Sequence, residues 1–308
     1  MSAPVALRSL YTHLYGSAML PVLEEIFRTR MGMHPSRREA LFITKQTDRD
    51  IWQSTELHDM ELFAELAEGA EYSYKRLKQG ASKTFTVKKM ALGYSISREA
   101  IDDGKVDLVG DMAAGLADSA MESKEVDGMN IFNNGFDSET TADAQYVFDS
   151  DHSLPSGLTF SNKLATAADL SDTSLKQAIQ DFRTNFVGDS GIKKLIEPLI
   201  LLVHESNRMY AKELVGSELK PDSADNNLNP LKSEGLIVVS SPHLTDTDAW
   251  FLVGPKAADK NGLRIINRQA IQTKSEEDFN TDSVRYKASY RERLGAIHPY
   301  GLFGTAGA

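Results

Sequence analysis

The residues best suited to chemistry are Asp149, Asp151 and His152, with Asp246 and Asp248 as distant helpers. Carboxylate and imidazole side chains together suit a divalent cation that activates water for hydrolysis. The set lies in QYVFDSDHSLPSGLTFSNKL (145–164), a connector containing Pro155 and Gly157. Asp and Ser in such loops close turns on their own backbone, and no HExxH or repeated ligand spacing is present. A metal-dependent hydrolase is therefore only the minor alternative. The serines near His152 lack a GxSxG elbow. The GDSG stretch (188–191) is too short for a phosphate loop and has no lysine in the right place after it. His204 and His243 read as packing or solvent-facing residues. No catalytic, cofactor-binding or metal residue is assigned, and the chain is not read as an enzyme.

Composition narrows the classes further. The 308 residues suffice for two or three packed units, and 41% hydrophobic with 25% charged content is ordinary for a globular chain. With no cysteine, neither a disulfide nor a thiolate site is possible, which fits a reducing compartment. A formal charge of −10 argues against a dedicated nucleic-acid binder. The longest aliphatic run, Leu199 to Val203, is too short to span a bilayer, and MSAPVALRSLY is not a secretory signal.

The elements are organised around Ile101 to Phe136, which reads as one long amphipathic helix. Val109, Met112, Leu116 and Ala120 form its apolar stripe, Asp107 and Asp111 complement the positive end of its dipole, and Gly135 marks its stop. About 30 residues at ~1.5 Å each make a rod of roughly 45 Å. Small residues around Gly115 predict a closely packed neighbour there. Residues 4 to 30 also read as helical: Leu7, Leu10 and Leu14 share one stripe, then Leu23 and Phe27 another, with Pro21 in the first turn of the second piece. Such an arm must bury its apolar face on its own domain or on another subunit.

Between these helices the charges separate. Glu56 to Glu71 carries Glu56, Asp59, Glu61, Glu65, Glu68 and Glu71 and no Lys or Arg. Lys75 to Lys89 carries Lys75, Arg76, Lys78, Lys83, Lys88 and Lys89 and no acid. The second stretch reads as a hairpin, with Tyr72 and Tyr74 on one strand, a turn at KQGAS (78–82) and a return from Thr84 to Val87. The apolar phase then slips: Phe85 and Val87 are odd, whereas Met90, Leu92, Tyr94 and Ile96 are even, so a bend is expected at Lys88 and Lys89. A lone hairpin is barely stable in water and wants a partner.

Farther on, Ser174 to Gln177 fits a capping box, and Leu175, Ala178, Ile179, Phe182 and Phe186 form a helix face. Strands are expected at Leu199 to Val203, Leu236 to Val239 and Trp250 to Val253, with a short helix from Ser206 to Gly216. Leu263 to Ile266 starts a return to the first unit. In the last strand Val284, Tyr286, Ala288 and Tyr290 point one way and Arg285, Lys287, Ser289 and Arg291 the other. Projecting arms of complementary charge, without an evident active site, are features of assembly.

The order of these parts, with DSDHSLPSGLTFSN (149–162), LSDTS (170–174), PLILLV (198–203), ADNNLN (224–229), LTDTDAWFL (244–252) and YKASYRERLG (286–295), resembles the major capsid proteins of tailed bacteriophages with the Hong Kong 97 fold, in their Mu-like major head subunit branch. The resemblance implies an α+β fold. Residues 1–55 would be the N-terminal arm, 56–97 the extended loop, 98–168 with 264–308 the peripheral domain and its spine helix, and 169–263 the axial domain. It implies hexamers and pentamers closing into an icosahedral head around double-stranded DNA, held without sequence-specific binding. The expected partners are portal, scaffold and possibly decoration proteins, with no cofactor and no membrane. The expected place is the virion, after assembly in the bacterial host cytoplasm. There is no room for an N-terminal scaffolding extension, so a separate scaffold is expected. An encapsulin-like nanocompartment shell is the alternative within this fold. Inter-subunit contacts are expected from Leu7, Leu10, Leu14, Leu23 and Phe27, from Lys75, Arg76, Lys78 and Lys83, and from Asp107, Asp111 and Asp118.

Overall fold

The computed structural model describes residues 20–57, 60–69, 71–72, 74, 79–102, 106–219, 227–256, 261–278 and 280–308. In chain order the elements are α1 (Leu20–Gly32), α2 (Arg38–Leu41), β1 (Ile43–Gln46), β2 (Ile51–Leu57), β3 (Gln79–Thr86), β4 (Lys88–Ile96), α3 (Arg98–Asp102) and α4 (Val106–Asn133). Then follow β5 (His152–Ser153), β6 (Thr159–Phe160), α5 (Asp172–Thr184), β7 (Ile200–His204), α6 (Arg208–Gly216), β8 (Ile237–Ser241), β9 (Trp250–Val253), β10 (Leu263–Asp278), β11 (Ser283–Ala296) and β12 (Leu302–Thr305).

Two four-stranded sheets carry the fold. The first runs β1-β10-β11-β4, with β1 parallel to β10 and the other pairs antiparallel. The alternation in β11 decides what covers it. Val284, Tyr286, Ala288 and Tyr290 are buried, and α4 lies on that side. Val109, Ala113, Leu116 and Ala117 of α4 join Ile96, Val284, Tyr286 and Ala288 in one core with Leu23 and Phe27 of α1. The second sheet runs β12-β9-β7-β8. Leu201, Val203, Trp250 and Leu252 face α5 and α6, whereas Ile200, Leu202, Phe251 and Val253 face the end of α4. There Phe132, Phe136, Phe148 and Phe251 pack ring to ring with centroids 5.0 to 6.3 Å apart. Gly135 is required at this joint, because a Cβ would stand 2.7 Å from the Phe148 ring.

Several expectations hold with shifted edges. The long helix is real: Ile101 and Asp102 are helical as the end of α3, α4 runs from Val106 to Asn133 beyond residues 103–105, which lie outside the described ones, and it ends before Gly135. Pro21 does lie in the first turn of α1. The capping box belongs to Ser171 and Ser174, not Ser174 and Gln177; Ser174 N donates to Ser171 Oγ at 3.1 Å and Ser171 N to Ser174 Oγ at 2.9 Å. Leu263 to Ile266 open β10 in the first sheet, the expected return to the first unit, and residues 302–305 then pair with β9 in the second sheet.

The hairpin is arranged differently from the expected one. β3 pairs antiparallel with β2, Trp52 opposite Phe85, so residues 79–82 are strand rather than turn. The turn chemistry of KQGAS misled because Gly and Ser fit an edge strand when a distant segment supplies the ladder. The phase slip does mark a change of partner: Val87 alone separates β3 from β4, which enters the first sheet beside β11.

Candidate inter-subunit surfaces

The surfaces expected to meet other subunits divide into those the subunit covers itself and those it leaves open. Leu23 and Phe27 are each 1% exposed and pack on α4 of the same chain. Asp118 is engaged at the same joint. It accepts from Arg30 Nε at 2.7 Å and Nη2 at 3.0 Å, and it meets His34 Nε2 at 2.6 Å. The Arg30 hydrogen bond, helped by His34, holds its carboxyl down at about 2. The Arg30 guanidinium is raised in return by the hydrogen bond to Asp118. Lys83 donates to Glu139 at 2.9 Å and to the Thr140 carbonyl, both within the chain. Asp111 is exposed on α4. Leu7, Leu10, Leu14, Lys75, Arg76 and Lys78 lie outside the described residues, as does the side chain of Asp107.

At Gly115 the expected close neighbour is not met within the subunit: among the described residues nothing lies within 4 Å of the Cβ it would carry. The close approaches fall elsewhere on α4: a Cβ on Gly128 would stand 3.0 Å from Arg38 Cβ, and one on Gly110 3.6 Å from Ile26. Small residues along α4 thus mark two sites of contact and one open stretch.

Arg38 is part of a buried charge cluster that the sequence reading missed. Its Nη1 and Nη2 donate to the two Glu292 carboxylate oxygens at 2.6 and 3.1 Å, and both side chains are largely buried. Glu125 of α4 accepts from Ser36 Oγ at 2.9 Å and from Arg38 N at 3.3 Å. The cluster ties the segment before β1 to α4 and β11. A signal was present: Glu292 continues the inward phase of Tyr286, Ala288 and Tyr290, and an acid on a buried face needs a cation.

The Asp149–His152 loop forms a structural clasp. His152 is fully buried, its Nδ1 2.7 Å from Asp143 Oδ2 and its Nε2 3.1 Å from Asn162 Oδ1. Burial pushes the Asp143 carboxyl up, but hydrogen bonds from His152 and Thr141 outweigh it and leave the group below its ordinary range. Asp149 is taken up by Ser150 N at 2.6 Å, and Asp151 is exposed. Asp246 accepts from Asp248 N at 3.0 Å, a turn within its own loop. Among the described residues no three His, Asp or Glu side chains converge to hold a metal. His204 caps the following turn through Ser206 N at 3.2 Å, and His243 meets Glu122 at 3.1 Å. No helix among the described residues is long and apolar enough to cross a membrane.

Among the described residues two open surfaces bear on assembly. Residues 60–69 are exposed throughout, with Met60 64%, Leu62 77% and Phe63 107% exposed, and Tyr72 and Tyr74 beyond them are exposed too. The side of the first sheet away from α4 carries Arg285 and Lys287, with Lys274 on β10 opposite Lys287 and Lys89 on β4 opposite Arg291. The alternation of β11 is therefore as expected: apolar toward α4, basic toward solvent.

The chain thus combines a rod-like helix on a sheet, a two-stranded ribbon leaving that sheet, and a second mixed sheet. Residues 80–303 match the family described as phage capsid protein, and the chain belongs to that family. No individual curated protein matches the sequence. Solved structures share the fold at low identity. A capsid chain of cyanophage P-SCSP1u superposes with a TM-score of 0.59 at 10% identity, covering 89% of this chain and 88% of that one. A chain of the mature capsid of bacteriophage PhiM1 gives 0.55 at 12% identity, covering 89% and 87%. A virus-like particle chain from Pyrococcus furiosus gives 0.55 at 8% identity, covering 92% and 97%. The fold is the α+β Hong Kong 97 capsid fold. The protein is a structural major capsid protein whose place is the virion shell. The Mu-like branch is not singled out by these matches.

Proposed function

We propose that the chain assembles into hexamers and pentamers that close into an icosahedral head around double-stranded DNA, without catalysing a reaction. Portal, scaffold and possibly decoration proteins complete the particle, which forms in the bacterial host cytoplasm. The first sheet with α4 serves as the peripheral domain and the second sheet as the axial domain. The N-terminal arm, with Leu7, Leu10 and Leu14, and the loop carrying Lys75, Arg76 and Lys78 make contacts between subunits. The acidic face of α4, including Asp107 and Asp111, is one surface for that loop.

The observation that carries this reading is the exposed apolar stretch between β2 and β3. A chain that buries Leu23 and Phe27 to 1% leaves Leu62 and Phe63 almost wholly in water. Burying a large apolar side chain is worth ~1.5–3 kcal/mol, and many copies in a closed shell multiply that gain. Electron microscopy of the expressed protein tests the reading: closed shells or their hexamers and pentamers are expected, and a stable monomer at all concentrations, alone and in infected-cell extract, would overturn it. Particles filled with enzyme cargo instead of DNA would favour the nanocompartment.

A further inference from the structure

Strand β4 is the outer strand of the first sheet, paired with β11 on one side and, among the described residues, with no strand on the other. Its side chains Met90, Leu92, Tyr94 and Ile96 stand opposite Tyr290, Ala288, Tyr286 and Val284, on the face that α4 covers. Leu92 belongs to this inward set yet is 57% exposed. It borders an open cleft of about 550 Å³ between the edge of β4 and α4, floored by Leu116, Ala120, Ala288 and Tyr290. The Tyr290 hydroxyl in that cleft is buried and has no hydrogen-bond partner among the described residues. On the opposite face Ala91 and Gly93 leave a second, shallower groove beside Arg285 and Lys287. The free edge is apolar on one side and cationic on the other.

The exposed segment from Met60 to Leu66 has the same two sides. Met60, Leu62, Ala64 and Leu66 alternate with Glu61, Phe63 and Glu65. As an extended strand it would put the first set on one face and the second on the other, over roughly 23 Å.

We propose that residues 60–66 of a second copy of this chain pair with the free edge of β4 as an added strand, the even-numbered apolar side chains filling the cleft under α4 and Glu61 and Glu65 facing Lys89, Arg285 and Lys287. Strand addition satisfies the open backbone groups of an edge, while alternate side chains select the partner. Phe63, between the two acids, meets the same cations and gains from their attraction to its ring face. The parity is enforced: a one-residue slip would drive Glu61 and Glu65 into the cleft beside Glu122 and Asp127, which line it. Leu92 and Leu62, each exposed in the single chain, become covered together.

This inference rests on the shell reading, and the experiment separates the two. The chain has no cysteine, so an introduced pair reports cleanly. Leu62→Cys is combined in turn with Met90→Cys, Leu92→Cys and Tyr94→Cys, and particles are oxidised and run under denaturing conditions. Facing residues on paired strands lie ~4.5–5.5 Å apart, within disulfide reach. At least one combination is expected to give a ladder of chains joined end to end, whereas Glu61→Cys in place of Leu62→Cys gives monomer. Intact particles with no ladder above the Glu61→Cys control, or a bond closed within one chain, would overturn the strand addition and leave the shell reading standing. Absence of particles from the cysteine-free parent would overturn both. As a second arm, Lys89→Glu with Lys287→Glu should abolish sedimenting particles, and Glu61→Lys with Glu65→Lys should restore them. Loss without restoration would assign the cationic face to another partner, such as nucleic acid, and overturn the pairing.

Discussion

The second sheet buries every residue of β9 and β12, and all but the last of β7, while the first sheet buries one face and leaves the other in solvent. Around the second sheet, α5 and α6 close one side and the Phe132–Phe148–Phe251 cluster closes the other. Around the first, α1 and α4 cover only part of the inward face, and Leu92 borders the gap. One region is closed on both faces; the other leaves one face and part of the second open to solvent. Both have an apolar core, but interlocked rings close the second, whereas the ion pairs Arg38–Glu292 and Arg30–Asp118 stand at the margins of the first.

The contrast can be broken by substitution. Phe182, fully buried against Phe186 in the closed region, should cost ~3–5 kcal/mol when truncated to Ala. Leu92→Ala in the open region should change the stability of the unassembled subunit by no more than about 0.5 kcal/mol. Denaturant melts of the two variants check this, and comparable losses would erase the distinction between the regions.

A smaller effect follows from Asp118. Its carboxyl sits at about 2 when folded against an ordinary 3.8, so the clasp to Arg30 and His34 is fully present above the ordinary value and is lost as pH falls through about 2. Because the pair is largely exposed, solvent screening keeps the contribution small. Wild type should exceed Asp118→Asn in stability at pH 5, and the gap should close in melts taken near pH 2. A gap that widened on acidification would reverse the sign of the argument.

The smallest expected change sharpens the comparison most. Gly115→Ala fills open space and should stabilise the isolated subunit by up to ~1 kcal/mol through helix propensity. Melting curves read that gain, and sedimentation of the same variant reads assembly. Stabilised subunits that fail to assemble would show that the stretch is covered only in the shell.

Much of the second region was legible because its strands are short apolar runs bounded by turn residues. Trp250–Val253 has the expected limits, and the helix face from Leu175 to Phe182 is buried as its spacing requires. β11 was legible from strict alternation. What escaped depends on distant partners. β10 extends to Asp278 although its second half, QTKSEED, is polar, because β11 supplies its ladder over that length. β2 and β3 find each other across the residues between Leu57 and Gln79, which no local turn signal announces. The candidate surfaces were legible as charge and apolar pattern, but pattern does not say which copy covers a face. Leu23 and Asp118 were expected between subunits and are engaged within one. Glu292 shows the complementary lesson, since its phase exposed the need for a cation without naming Arg38.

The root of the β2–β3 ribbon has a mechanical meaning. Phe85 lies over Gly295, where a Cβ would stand 2.5 Å from its ring, and packs with Val87, Ile266 and Ile297. Trp52 closes on it from β2, with ring centroids 5.6 Å apart. Gly295 and Ile297 lie at the end of β11, just where the chain leaves the first sheet for β12 in the second. A pull on the far end of the ribbon is therefore delivered to the seam between the sheets, and the ribbon acts as a strut whose footing is shared by both halves of the subunit.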